Sequence, residues 1–326
     1  MRNLKDNGRR SFIKKGAIGV AGIALAENLL TSCMMKSKNK VTFGVISDVH
    51  EDLQEDATHR LQQFINAAEK NNPDFIIQLG DLCHSTGANK ILPVWNSFRG
   101  DKYNVLGNHD MDNGSKQEMV KLYNMPHNYY HFDKGGVRFI ILDCNFTRKD
   151  GNIVDYDNGN YYVASKDRDI INEEQIKWFE DTISKSKLPC VIFSHQAFDE
   201  IGGSVPNRET VRKIIKKANN KDKRVIACFC GHHHIDAHSE IDGVDYFQIN
   251  SASYLWVEGE KKFSKGNMAE YKDSVYAFIT IDLDNRIIET RGTQSQFKEP
   301  APSTNDFAPG VFASINAGIK DRTVSF

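Results

Sequence analysis

From residue 41 onward, short apolar runs alternate with amphipathic stretches, the pattern of buried strands separated by helices. Val41–Ser47, Phe75–Leu79, Tyr103–Leu106, Cys190–Ser194 and Val225–Cys230 are the predicted strands of this part. Thr58–Lys70 places Leu61, Phe64, Ile65 and Ala68 on one helical face, and Asn71-Asn72-Pro73 ends it. Glu173–Lys185, with Ile176, Phe179 and Ile183 aligned, and Glu209–Ala218 are further helices; Ile91–Phe98 is a weaker one. Tyr129–Phe132 and Val137–Leu142 flank Asp133-Lys134-Gly135-Gly136 and read as a hairpin. Later strands are predicted at Tyr246–Ile249, Val275–Leu283 and Ile287–Thr290. Asn145–Arg168 is polar without a clean period and reads as a long loop, and Glu299–Phe326 shows no assignable pattern. Strand–helix alternation followed by antiparallel strands predicts a mixed α/β layered sandwich.

The chemistry lies where those strands end. Val41–Ser47 runs into Asp48-Val49-His50, Phe75–Leu79 into Gly80-Asp81, and Tyr103–Leu106 into Gly107-Asn108-His109-Asp110. Cys190–Ser194 runs into His195, and Val225–Cys230 into Gly231-His232-His233-His234. In α/β sheets, ligand-binding groups collect just outside the carboxyl ends of strands. A rim of Asp, Asn and His is prohibitively desolvated unless something cationic satisfies it, and metal ions are the natural candidates. Asp48 with His50, and His232 with His234, are i, i+2 pairs that extended backbone would point to one side. His233 would point the other way and is expected to be structural or to support the ligands from behind. Mixed oxygen and imidazole donors suit first-row divalent metals better than Ca²⁺.

In this order the five motifs resemble the calcineurin-like metallophosphoesterase superfamily, over about Val41 to Arg291. Tyr129–Asp133, Val137–Phe139, Leu142-Asp143 and Gln175–Phe179 look like the branch holding purple acid phosphatases and cyclic-nucleotide phosphodiesterases. The resemblance implies a four-layer α-β-β-α sandwich of two mixed sheets flanked by helices, with two divalent metal ions (Mn, Fe, Zn or Co). One would be held by Asp48, His50, Asp81 and His234; the other by Asp81, Asn108, His195 and His232. It further implies a water shared by the two metals as the nucleophile towards phosphorus. His109 would serve the leaving oxygen, with Asp110 orienting its imidazole. The substrate would be a small phosphorylated compound, monoester or diester. The purple subgroup carries tyrosine where this chain has His84, so no ferric tyrosinate is expected. The reading from another class is a scaffold of this fold that binds a partner without hydrolysis.

Composition and charge refine this picture. The 326 residues are 40% hydrophobic and 26% charged, enough for a sizeable core. Residues 1–32 carry six Lys/Arg and two Asp/Glu, leaving 36 against 41 and a formal charge of −5 for the rest. No basic footprint for nucleic acid is evident. Arg9-Arg10-Ser11-Phe12-Ile13-Lys14 is a twin-arginine pattern ahead of the apolar run Gly16–Ala26, and Leu30-Thr31-Ser32-Cys33 resembles a lipobox. Glu27 and Asn28 close a run too short to span a bilayer, so residues 1–33 read as a targeting segment. The expected organisation is signal 1–33, linker 34–40, metallophosphoesterase domain 41–297 and extension 298–326. The expected destination is the periplasm, or a membrane through a lipid on Cys33. Cys83, Cys144, Cys190, Cys228 and Cys230 are expected to be reduced thiols, mainly buried, and Cys228-x-Cys230 to face the core rather than bind zinc. Glu51, Asp52, Glu55 and Asp56 read as a solvated acidic loop, and Tyr161 and Tyr162 as a loop able to close over substrate.

Overall fold

The computed structural model describes residues 39–159, 163–201, 205–220, 222–257, 263, 265–303, 306 and 315–326. The targeting segment with Cys33, most of the linker, and Tyr161 and Tyr162 lie outside the described residues. Strands β1 (Lys40–Ile46), β2 (Phe75–Gln78) and β3 (Asp101–Asn104) come first, followed by the hairpin β4 (Tyr130–Lys134) and β5 (Val137–Ile141). Next are β6 (Phe146–Lys149), β7 (Asn152–Asp155), β8 (Cys190–Phe193), β9 (Val225–Cys230), β10 (Ala237–Ile241) and β11 (Val244–Gln248). The chain ends in β12 (Tyr254–Trp256), β13 (Met268–Glu270), β14 (Ala277–Asp282), β15 (Ile287–Gly292) and β16 (Arg322–Ser325).

Two six-stranded sheets result, ordered β16-β15-β14-β1-β2-β3 and β10-β11-β9-β8-β5-β4. In the first, β1-β2-β3 run parallel out to the β3 edge and the β14-β15-β16 side is antiparallel; in the second, β11-β9-β8-β5 run parallel between antiparallel β10 and β4. The fold is therefore the α-β-β-α sandwich of two mixed sheets flanked by helices. Phenylalanines join the sheets. Phe43 of β1 meets Phe139, Phe193 and Phe229 of the second sheet edge-on at 5.5–5.8 Å, and stacks on Phe75 of its own sheet at 5.0 Å. Such pairs add to the large apolar area each ring buries.

Helices cover the outer faces. Helix Ala57–Asn71 buries Leu61, Phe64, Ile65 and Ala68, and Phe64 lies 6.4 Å from Phe278 of β14. Helices Glu173–Lys185 and Arg208–Asn219 bury Phe179, Ile183, Val211, Ile214 and Ile215 against Ile140, Ile192 and Cys228 of the second sheet. Cys83, Cys144, Cys190, Cys228 and Cys230 are all buried and free.

Local pattern missed one hairpin and four further strands. The polar stretch Asn145–Arg168 contains the hairpin β6–β7, anchored because Lys116 reaches Asp143 at 2.8 Å and Asp155 at 3.0 Å, over the ring of Phe146. Strands β10, β12, β13 and β16 were not apparent in the local pattern. Among them, β16 pairs with β15, so the chain's last residues extend the first sheet.

Candidate metal centre

The loops after β1, β2, β3, β8 and β9 meet at one rim. Backbone hydrogen bonds tie neighbouring strand ends: Asp48 N–H donates to Gly80 O at 3.1 Å, His50 N–H to Asp81 O at 2.9 Å, and Gly231 N–H to His195 O at 3.0 Å. The two sheets are joined there because His232 N–H donates to the Asp48 carboxylate at 3.1 Å. Both i, i+2 pairs depart from the extended geometry expected of them. Asp48, His50, Asp81, His232 and His234 all have φ between 52° and 71°. Left-handed backbone at non-glycine residues is strained and occurs where the surroundings over-determine it, commonly at functional sites. The glycines are explained by crowding. A Cβ on Gly107 would collide with Asp81, and one on Gly80, at φ 103°, would press on His195 Nδ1 and Gly107.

Among the described residues three groups could hold a metal ion: a first cluster of Asp48, His50 and His234, a second of Asp81, His195 and His232, and a less buried group of Asp52, His109 and Asp112. Within the first, His234 Nε2 lies 3.2 Å from Asp48 Oδ1 and 3.3 Å from His50 Nε2. Within the second, His195 Nε2 lies 3.1 Å from Asp81 Oδ2 and 3.2 Å from His232 Nδ1. Asp81 Oδ2 is also 3.7 Å from His50 Nε2, which sets its carboxylate between the clusters.

The tautomers follow from the partners. His195 Nδ1–H donates to Leu79 O at 2.7 Å and His234 Nδ1–H to Tyr254 O at 2.9 Å. Carbonyls only accept, so Nε2 of both rings is directed to the centre. His233 turns away and bonds Gln248 Oε1 at 3.0 Å.

These residues fit a pair of divalent cations. Asn108 is buried, its Oδ1 has no hydrogen-bond partner among the described residues, and it lines a cavity together with His232 of the second cluster. A buried amide oxygen left unbonded is costly unless a cation serves it. Burial raises the Asp48 carboxyl, but His234 and His195 more than offset this and hold it below the usual carboxylate range. Asp81 is likewise lowered against burial by His195 and His109. Burial pushes His232 and His234 down, towards the neutral, ligating form.

His109 sits beside the first cluster, its ring 5.2 Å from that of His50. Its orientation corrects the expectation for Asp110. His109 starts a short 3-10 turn, His109–Met111, which brings Asp112 round so that its Oδ2 lies 2.7 Å from His109 Nδ1. Asp110 instead accepts from Gly107 N–H at 2.7 Å, Leu82 N–H at 3.0 Å, Cys83 N–H at 3.3 Å and the Tyr123 hydroxyl at 2.8 Å. It braces the β2 and β3 loops against each other.

Other contributors lay outside the strand-end motifs. Asp52, read as solvated, is 3.3 Å from His50 Nδ1, while Glu51 pairs with Lys90 and Asp56 with Arg60. Arg168 and Asp169 line a cavity of about 170 Å³ with Asn108, His109 and His232. Asp169 accepts from Gln196 Nε2 at 3.1 Å, and Gln196 also donates to Asn145 Oδ1 at 2.8 Å. The only available signal was the i, i+3 spacing of His109 and Asp112. His84 bonds Thr86 Oγ1 at 2.7 Å.

Comparison with known proteins agrees with this geometry. A manganese-dependent ADP-ribose/CDP-alcohol diphosphatase from Oryza sativa subsp. japonica is 24% identical over 238 residues, 59% of this chain and 73% of the relative. A dimetal phosphatase from Danio rerio superposes with a TM-score of 0.57 at 13% identity, covering 87% of this chain and 98% of that one. GAP50, the anchor in the inner membrane complex of Plasmodium, superposes with a TM-score of 0.52 at 15% identity, covering 81% and 87%. The family model described as calcineurin-like phosphoesterase matches residues 41–236. With two Asp/His clusters at the rim of its sandwich, the chain belongs to the calcineurin-like phosphoesterases, metal-dependent hydrolases of phosphate esters.

Proposed function

We propose that this chain hydrolyses a small phosphorylated substrate, monoester or diester, at a two-metal centre, after export through the twin-arginine route. The observation that carries the reading is the placement of Asp81 between the two clusters, 3.1 Å from His195 and 3.7 Å from His50. A carboxylate is the side chain that can serve two cations at once. Asp48, His50 and His234 would hold one ion, Asn108, His195 and His232 the other, with Asp81 shared. When bound, such ions supply Lewis acidity and an activated water.

The remaining work falls to the chain itself. His109, held at Nδ1 by Asp112, is placed to give a proton to the leaving oxygen. Burial opposes its charge, while Asp81, Asp112 and Asp52 raise it, to about 9 in the metal-free chain; with Asp81 given over to the ions, Asp112 is the carboxylate that supports the protonated ring. Arg168 brings a permanent positive charge to the cavity that His109 shares. The absence of tyrosine at His84 favours the non-purple members of the branch that this sequence resembles.

The test is hydrolysis of p-nitrophenyl phosphate and its bis ester by the mature chain loaded with Mn, Zn or Fe in turn. ADP-ribose and CDP-alcohols follow, because the rice relative carries those substrates in its name. Metal bound at both clusters without turnover of any phosphorylated compound would overturn the reading in favour of a binding scaffold. The twin-arginine pattern and Leu30–Cys33 support export and a lipid on Cys33. Palmitate labelling that is lost in Cys33→Ala supports the anchor, and equal labelling of that variant rules it out.

A further inference from the structure

Strand β12 carries an aromatic wall from the metal centre out to solvent. Its three side chains alternate: Leu255 is buried in the core, so Tyr254 and Trp256 share the opposite face. That face looks onto the first cluster, because the Tyr254 ring lies 4.6 Å from His234 and 5.3 Å from His50. Trp256 continues the wall outward. Its indole stands edge-on to Tyr254 at 5.1 Å and lies 6.1 Å from His234, tilted by 35°.

The wall is held in place. The Tyr254 carbonyl accepts from His234 Nδ1–H at 2.9 Å, and β12 is paired residue for residue with β13. Trp256 is nevertheless 43% exposed, whereas Trp95 is 2% exposed and Trp178 packs against Tyr129 and His131. A single exposed apolar side chain says little by itself. Here its location is what matters: a ring fixed on one side by Tyr254 and His234, with open surface beside the residues that would hold a phosphoryl group. The cavity lined by Arg168, Asp169, Asn108, His109 and His232 is polar, with Arg168 beside Asp169 at 3.5 Å; the β12 wall is aromatic. A ligand matching both carries phosphate and a flat ring.

We propose that Trp256 is a stacking platform for a planar aromatic substituent of the substrate, of nucleobase type, next to the metal centre. This rests on the phosphoesterase reading and deepens it by naming a substrate class. The indole face offers dispersion and stacking that tolerate any base, so recognition extends to the ring and not to a particular base.

The test separates the two readings. Adenosine, which carries no phosphate, is titrated into the Mn-loaded protein while tryptophan emission is followed, with ribose as control. Saturable quenching by adenosine, absent with ribose and absent in Trp256→Phe, is the expected result. Discrimination is then measured as kcat/KM on AMP relative to ribose 5-phosphate. Trp256→Ala should lower that ratio roughly 5- to 150-fold, the ordinary strength of base–aromatic stacking. Trp256→Phe, which keeps a flat ring, should hold the ratio within a few-fold of wild type. No adenosine quench in the wild type, or an unchanged ratio in Trp256→Ala, overturns the proposal. Loss of the phosphoesterase reading would show differently, as no turnover of AMP, ribose 5-phosphate, p-nitrophenyl phosphate or its bis ester, with the adenosine titration still deciding the subsite.

Discussion

His109 Nδ1 lies 2.7 Å from the carboxylate of Asp112, three residues along the chain, while the adjacent Asp110 turns its oxygens to backbone amides and Tyr123. The 3-10 turn at His109–Met111 produces this division, since residues three apart share a face of such a helix. One carboxylate tunes an imidazole and the other braces two loops, and they predict different phenotypes.

His109→Ala should keep both metals and lower kcat about 10²- to 10⁴-fold, most severely for esters with poor leaving groups. Metal analysis and kcat on aryl phosphates of graded leaving-group pKa check this. Full activity on the poorest leaving group would remove His109 from proton transfer.

The pH profile should carry the signature of Asp112. In the metal-free chain His109 is raised to about 9 by Asp81, Asp112 and Asp52 against burial; cations on Asp81 cancel much of that charge and leave Asp112 in place, so the acid form is lost as pH rises through a value that Asp112 holds up. Asp112→Asn removes one of the charges that favour the imidazolium. The alkaline limb of kcat should therefore move to lower pH, with metal content unchanged.

Asp110→Ala should act on stability before chemistry. It strands the buried amides of Leu82 and Gly107 and leaves Cys83 N–H and the Tyr123 hydroxyl with only each other's residue as partner, and should cost roughly 3 kcal/mol. Urea unfolding of the variant measures it. A variant as stable as wild type would argue that Asp110 braces nothing.

Metal uptake should release protons. Burial disfavours the charged form of His195, but Asp81 and Asp48 raise it to about 10, so the metal-stripped ring is protonated at neutral pH. Nε2 must lose that proton to ligate, and apparent affinity should rise with pH. Calorimetry in buffers of different ionisation enthalpy counts the protons. Asp81→Ala should abolish loading at both clusters together.

Arg168→Ala should raise KM for phosphate esters, and the inhibition constant of inorganic phosphate, roughly 10- to 100-fold. Arg168→Lys should recover only part of this, because an ammonium cannot reproduce the guanidinium fork. Equal phosphate inhibition in all three proteins would exclude Arg168 from phosphate recognition.

Much of the centre could be read along the chain, for a topological reason. Parallel strands in α/β sheets deliver their following residues to one rim, so Asp48, His50, Asp81, Asn108, His195, His232 and His234 were identifiable as strand-end residues. The helices at Ala57–Asn71 and Glu173–Lys185 were visible because their apolar faces repeat with the helical period. Everything that depended on a long-range partner was hidden. Phe43 reads as one more apolar residue until Phe139, Phe193 and Phe229 arrive from another sheet. The left-handed backbone of Asp48 and His234 is imposed by the crowded meeting of five loops, not by local preference. Asp52, Arg168, Tyr254 and Trp256 come from segments with no period of their own, and only the folded chain sets them around the same centre. Residue type and order thus define the reaction class, because they are local properties of strand ends. The walls that select a substrate are assembled by packing between distant segments, which no local pattern records.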